Sequence, residues 1–384
     1  MDYFLTEEQT MIRDLARRIA REKVVPVRAE MDEKEQFPWE VMRVLAESDM
    51  CGLYIPQEYG GFGGGVFELC LATEELSRVC GGVAVTFAAN GLGTYPILLF
   101  GSDEQKKKFL PGIASGKRLA AFALTEANAG SDAGGIQTTA VLDGNEYVLN
   151  GTKQWITNGG EAEVYTVIVM TDKSKGTRGA TALIVEKGTP GFEFGKKEKK
   201  MGIRCSSTRE LVFTNCRVPK ENVLARPGMG FIVAMKTLDN TRPGIGSQAV
   251  GIAQGALDEA LSYARQREQF GKPISSFQAI QHMLADMATQ IEAGRALVYA
   301  TARFIDSGAK DISRASAMSK LFTSDMAMKV TTDAVQVLGG YGYMREYPVE
   351  KMMRDAKITQ IYEGTNQIQR NVIALQLIKE SASA

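Results

Sequence analysis

The sequence predicts an α+β fold in three parts: an N-terminal helical domain, a middle antiparallel β-barrel and a C-terminal four-helix bundle. Three observations carry this expectation. Apolar residues recur every three or four positions at both ends of the chain. Short runs rich in β-branched and aromatic residues, separated by turn residues, fill the middle. No strand–helix alternation with a glycine fingerprint occurs, which argues against a Rossmann nucleotide site. The expected boundaries are 1–120, 121–230 and 231–384, and 384 residues suffice for several domains with a large core.

In the first part, helices are expected over about 6–24, 38–49, 66–80 and 103–115. The first opens on a capping box, Thr6 to Gln9, followed by Ile12, Leu15 and Ile19 on one face. Breaks are read at Phe37-Pro38, at Pro56 with the Gly60–Gly65 cluster, and at Pro96. That cluster lacks both the G-x-G-x-x-G spacing and a Gly-Lys-Ser/Thr ending, so it reads as a turn and not a phosphate loop. The middle strands are expected at 121–125, 146–149, 164–170, 180–185 and 210–213, with turns such as Asp143-Gly144-Asn145 between them. Helices resume over 244–269, 276–306, 311–337 and 364–380, long enough and closely enough connected for an antiparallel bundle.

Composition excludes several function classes. The 45 Lys+Arg balance 45 Asp+Glu, so no general attraction to nucleic acid or anionic membrane is expected. Five scattered cysteines form no C-x-x-C pair and no metal-ligand spacing, which suits reduced thiols. No membrane-spanning run and no secretory leader are read, and a cytoplasmic location is expected. The single histidine, His282, sits on an apolar helical stretch and reads as a helix residue without a metal or triad role. Proton chemistry then falls to a carboxylate, tyrosine, lysine or cysteine.

Four segments stand out. Phe122–Asp132 (FALTEANAGSD) ends a strand in a small-residue loop suited to hydrogen-bonding a planar heterocycle or a phosphate. Trp155, Ile156 and Thr157 place an aromatic next to a hydroxyl. Arg265–Pro273 (RQREQFGKP) lies where a helix gives way to a turn. Arg354–Arg370 (RDAKITQIYEGTNQIQR) carries Glu363 between apolar Ile361-Tyr362 and Gly364, before a helix capped by Thr365. Burial would raise the Glu363 pKa and the following helix N-terminus would lower it, which makes it a candidate general base.

Together, in this order, these segments resemble the acyl-CoA dehydrogenase family over essentially the whole chain, most like its butyryl-CoA and medium-chain members. Phe122–Asp132 is similar to the family's L-T-E-x-x-A-G-S-D loop, and Arg354–Gln369 to its R-D-A-K-I-x-x-I-Y-E-G-T-x-x-I-Q signature. Leu238–Pro243, Arg267–Pro273 and Gln336–Gly342 also match. The resemblance implies an FAD cofactor lined by Phe122, Leu124, Thr125, Gly130 and Ser131 on one side and closed by Trp155, Ile156 and Thr157. It implies that Arg267, Phe270, Gln278, Gln336, Gly339 and Gly340 reach a neighbouring subunit's FAD, and that Thr365, Asn366 and Gln367 hold the cofactor from the catalytic side. For the acyl-CoA substrate it implies Ser131, Asp239, Arg242, Tyr362 and Gly364, with Asn90 and Gly91 near the acyl-pocket floor. Glu363 would take the α-proton while the β-hydride leaves to the flavin. An electron-transferring flavoprotein partner and a homotetramer are further implications. Isovaleryl-type and long-chain members carry their base at a position that falls at or near Thr241, which cannot act as that base. An enoyl-CoA reductase, an acyl-CoA oxidase and a non-catalytic flavoprotein or scaffold are the alternatives.

Overall fold

The computed structural model describes residues 3–383. Six helices come first: α1 (Glu7–Ile19, continued by a π-turn over Ala20–Val24), α2 (Arg28–Glu33), α3 (Trp39–Glu47), α4 (Val66–Ser77), α5 (Gly81–Phe100) and α6 (Asp103–Ala114). The expected capping box starts α1: the Gln9 N–H donates to Thr6 Oγ1 at 3.2 Å, and the Thr6 N–H to Gln9 Oε1 at 3.1 Å.

The helix α5 was not anticipated. Its Pro96 reads as a break, and its apolar residues show no stripe because the helix is buried on nearly every side. By length and composition its 20 residues are apolar enough to cross a bilayer, contrary to the expectation of no such run. Within the fold it packs against α4, α7 and the first strand. The close approach requires small residues: a Cβ on Gly93 would lie 2.4 Å from the Ala121 nitrogen.

Seven strands follow: β1 (Ala120–Ala123), β2 (Thr139–Asp143), β3 (Glu146–Thr157), β4 (Val164–Met170), β5 (Ala180–Glu186), β6 (Phe192–Lys197) and β7 (Thr208–Pro219). They form one curled sheet in the order β1-β4-β2-β3-β7-β6, with β5 on β4. Most pairs are antiparallel as expected, but β1 runs parallel to β4. Parallel neighbours need a long connection, and the intervening β2–β3 hairpin supplies it. Strands β2 and β6 were missed because their runs are short and each mixes polar with apolar residues, with no clean alternation to mark a buried face.

The C-terminal part holds α7 (Gly230–Gln266), a short hairpin β8–β9 (Glu268–Gln269, Lys272–Pro273), α8 (Gln278–Asp306), α9 (Ser313–Leu338), α10 (Val349–Lys357) and α11 (Asn366–Ser383). The 37-residue α7 runs through Pro243, where the sequence suggested a start at Gly244. An interior proline costs about 3 kcal/mol, and packing against α4, α5, α8 and α9 outweighs that loss. His282 lies exposed on α8, and all five cysteines are free and buried.

Two contacts tie the helical parts together. Arg295 of α8 reaches Glu74 of α4 at 2.7 Å, and the Tyr299 hydroxyl donates to the same carboxylate at 2.9 Å. At the end of α8, the Asp306 carboxylate accepts the Val66 and Phe67 N–H groups, both at 2.8 Å, and so caps α4 from another part of the chain. Cap removal typically costs about 0.5–2 kcal/mol. Asp306→Ala is therefore expected to lower the unfolding free energy from urea titration by an amount in that range, and an unchanged value would show that water replaces the cap without loss.

Candidate active site

Between the sheet and the C-terminal helices lies a cavity of about 410 Å³. Its sheet side carries Phe122, Leu124, Thr125, Gly130, Ser131, Trp155, Ile156 and Thr157; its helix side carries Leu238, Arg242, Ile245, Tyr362, Glu363 and Gly364. One end is closed by Val85, Ala89 and Leu92, one face of α5 at helical spacing.

The sheet wall is held in place by an ion pair. Lys153 on β3 is fully buried; its ammonium donates to the Leu124 carbonyl at 3.0 Å and to Glu126 Oε1 at 2.7 Å. The Glu126 carboxylate also accepts the Gln137 and Thr138 N–H groups at 2.6 and 3.0 Å. Burial opposes ionisation of Glu126, but Lys153 and these donors outweigh it and hold its carboxyl below the ordinary range. Burial pushes Lys153 down to about 8 against the pull of Glu126. The loop 122–132 is thus anchored by its own glutamate. At Trp155 the pairing of β3 with β7 is irregular and φ is +58°, so the strand is locally re-aimed and the half-exposed indole sits on the cavity wall.

Opposite, Glu363 and Gly364 are consecutive left-handed residues, with φ of +51° and +90°. A left-handed non-glycine residue costs about 1–3 kcal/mol and persists only where its surroundings fix it. Here three side chains do so. Arg242 Nε donates to the Glu363 carbonyl at 3.3 Å; Gln369 Nε2 donates to the same oxygen at 3.2 Å and to the Gly364 carbonyl at 2.9 Å; Lys320 Nζ donates to the Gly364 carbonyl at 2.9 Å. The Thr241 hydroxyl donates to Glu363 Oε2 at 3.0 Å. The two sequence positions weighed for the base therefore meet at one point, and here threonine serves as the carboxylate's partner. Burial pushes the Glu363 carboxyl up to about 7, with Thr241, Arg242 and Lys320 pulling the other way. Of the opposed influences read from the sequence, burial wins.

Several expected site residues stand elsewhere. Asp239 does not line the cavity; it is buried, 2.8 Å from Arg242 and accepting from Ser313 at 2.5 Å, and so positions the arginine. Asn90 holds β1 to α5 by accepting the Ala120 N–H at 2.6 Å, and a Cβ on Gly91 would point to Leu69 and the Tyr54 ring. Both lie on faces of α5 turned from the cavity, a distinction invisible until the segment is recognised as a helix. Asn366 is buried against Lys320 at 2.8 Å, Ser324 at 2.9 Å and Asp325 at 2.7 Å, so its side chain faces into the bundle and does not line the cavity. Thr365 caps α11 through the Ile368 N–H at 3.3 Å, and Gln367 is exposed; neither borders the cavity. Arg267, Phe270, Gly339 and Gly340 do come together, in a second cleft of about 700 Å³ with Tyr263, Phe277 and Tyr341. Gln278 and Gln336 are exposed nearby without lining it. Lys153, Lys320 and Gln248, which accepts from the Tyr362 hydroxyl, were missed. A lysine inside a helical or strand run carries no mark in sequence that it is buried.

The main cavity suits a flat heteroaromatic ring with polar edges. Phe122 and Trp155 supply apolar faces, and among the described residues the hydroxyls of Thr125, Ser131 and Thr157 have no hydrogen-bond partner in the chain. A flavin has this shape and this edge chemistry.

Comparison with known proteins agrees. The N-terminal, middle and C-terminal domain models of acyl-CoA dehydrogenase match residues 6–117, 121–216 and 228–378. The acryloyl-CoA reductase (NADH) of Anaerotignum propionicum is 49% identical over 381 residues, covering 99% of this chain and 96% of that protein. The solved butyryl-CoA dehydrogenase of Megasphaera elsdenii is 49% identical, with a TM-score of 0.96 over 98% of this chain and 100% of that one. A chain from a structure of the electron transferring flavoprotein of Acidaminococcus fermentans, concerned with flavin-based electron bifurcation, is 52% identical, with a TM-score of 0.96 over 98% and 99%. Family models that span the chain, and relatives at half identity along their full length, leave one conclusion: the chain belongs to the acyl-CoA dehydrogenase family and is an FAD-dependent oxidoreductase.

Proposed function

We propose that the chain catalyses α,β-dehydrogenation of a short- or medium-chain acyl-CoA, with Glu363 as the base and an electron-transferring flavoprotein as electron acceptor. The observation that carries this reading is the Glu363 carboxylate, poised near neutrality and facing the aromatic and hydroxyl-bearing sheet wall across the cavity. When bound, FAD supplies the acceptor for the β-hydride. Every other step falls to the chain itself. Glu363 removes the α-proton; with Thr241 on Oε2, its Oε1 is left uncommitted to receive it. Phe231, Met235, Leu238 and Ile245 keep the region around the reacting carbons apolar, which strengthens electrostatic interactions there. Arg242 lends positive charge beside the base while Asp239 fixes its direction.

The substrate class is supported by the similarity to butyryl-CoA dehydrogenase, and the partner by the similarity to the chain from the Acidaminococcus electron transferring flavoprotein structure. The second cleft, with Arg267 able to fork a pyrophosphate and Phe270 93% exposed at a hairpin tip, fits a cofactor shared across a subunit contact, and we read the assembly as a homotetramer. A second reading, reduction of an enoyl-CoA, is favoured by the 49% identity to an acryloyl-CoA reductase. A carboxyl titrating near 7 can return a proton to Cα as readily as it removes one.

Four outcomes test the site. Anaerobic addition of straight, branched and cyclic acyl-CoAs to the yellow holoenzyme should bleach the flavin with short straight chains first; no bleaching with any of them would end the dehydrogenase reading. Glu363→Gln should bind substrate and lose about 10²–10⁴-fold in turnover. The same variant has a stability signature. Because burial raises the folded-state pKa of Glu363 from 4.5 to about 7, its stabilising protonation is complete below the lower value and lost as pH rises through the higher one. The melting temperature of Glu363→Gln relative to wild type should therefore climb across that window and level off above it, and a difference constant with pH would place the carboxylate in solvent. Finally, Ala89→Leu, on the α5 face that closes the cavity, should shift preference toward shorter acyl groups, whereas an unchanged chain-length profile would exclude that face as the pocket floor.

A further inference from the structure

Lys320 lies in the middle of α9 with its side chain fully buried. Its ammonium has two acceptors, the Gly364 carbonyl at 2.9 Å and Asn366 Oδ1 at 2.8 Å, and both are neutral. It forms no ion pair among the described residues, although burying an unpaired cation costs several kcal/mol.

The charges around it explain how it is tolerated. From α7, Arg242 faces the same turn, but its charge is met by Asp239 at 2.8 Å. From α9 itself, Asp325 is engaged by Arg370 of α11 at 3.0 Å and by Gln360 and Asn366, each at 2.7 Å. Tyr362 is turned to Gln248. Among the described residues neither Glu363, whose carboxylate accepts from the Thr241 hydroxyl, nor Lys320 forms an ion pair; the two are opposite in sign and joined through the Glu363–Gly364 turn.

We propose that Lys320 is a positioning residue for the base, pinning the left-handed turn through the Gly364 carbonyl and adding its positive charge to that of Arg242 in favour of the ionised Glu363. This rests on Glu363 being the base. The titration behaviour supports it: burial pushes Lys320 down to about 7 while Glu363 holds it up, and Lys320 joins Thr241 and Arg242 in drawing down the half-buried Glu363. Hydrogen bond and charge are separable functions of one side chain. Lys320→Met removes both; Lys320→Gln removes the charge and retains a donor.

The test is the pH dependence of kcat/KM and kcat for both variants as holoenzymes, from about pH 5.5 to about pH 9, with butyryl-CoA as substrate. In both, the acidic limb of kcat/KM should move up by about one pH unit, so that activity near pH 6 falls about tenfold while activity near pH 9 changes less. In Lys320→Met, kcat should fall on the alkaline plateau as well. A purely structural lysine would lower activity evenly at all pH values and leave the limb in place, which overturns the proposal. If the methionine variant fails to retain flavin, the glutamine variant decides by the position of its limb. Glu363→Gln measured in parallel separates the two ideas. Near-normal turnover there removes the base assignment itself, whereas a feeble Glu363→Gln with unmoved limbs in the lysine variants overturns only the role of Lys320.

Discussion

The site depends on a two-residue stretch of backbone that would not hold its shape alone. Glu363 and Gly364 both adopt left-handed conformations, and only glycine does so without penalty. Helices α7, α9 and α11 each send one side chain, Arg242, Lys320 and Gln369, to the carbonyls of this turn. The bundle can therefore be understood as the frame that fixes one strained glutamate. Its long helices carry donors from distant parts of the sequence to a single point, and the result is a carboxylate held in a fixed orientation at the cavity wall.

The opposite wall uses a different device. The small-residue loop after β1 has little apolar surface with which to pack, and it is instead fastened by Glu126 to Lys153 and to two backbone N–H groups. A buried pair of this kind contributes little net stability, because desolvation consumes most of the attraction, but its geometry is unforgiving. The loop hydroxyls that face the cavity are free to serve a ligand because a separate set of groups holds the loop.

Much of this was legible in sequence. Helices with one apolar face announced themselves, as in α1 with its Thr6–Gln9 box, and strand β4 was read with its true ends because it is mostly apolar and β-branched and is bounded by turn residues. Glu363 could be singled out as a candidate base because a carboxylate between an apolar pair and a glycine is locally unusual, and the structure places it on the cavity wall. What failed did so for physical reasons. A helix buried all round, such as α5, has no periodic signal, and missing it also misassigned Asn90 and Gly91, whose directions depend on helical rotation. The start of α7 was read at 244, after Pro243, whereas the helix begins at Gly230 and packing carries it through the proline. Asn366 and Asp239 were placed in the right neighbourhood with the wrong orientation, since a motif fixes which residues are near a site and not which way each side chain turns. Lys320 was beyond reach, because its significance arises only when three helices meet.

The apolar length of α5 has a consequence for biosynthesis. One of its faces is covered by α7, which is translated more than a hundred residues later, after the whole sheet. During that interval a segment with the hydropathy of a membrane span is only partly sheathed by its own chain. The nascent protein thus passes through a stage in which chaperone capture, aggregation and productive docking compete for the same surface, and a ribosome stalled before residue 230 would release the version least able to protect itself.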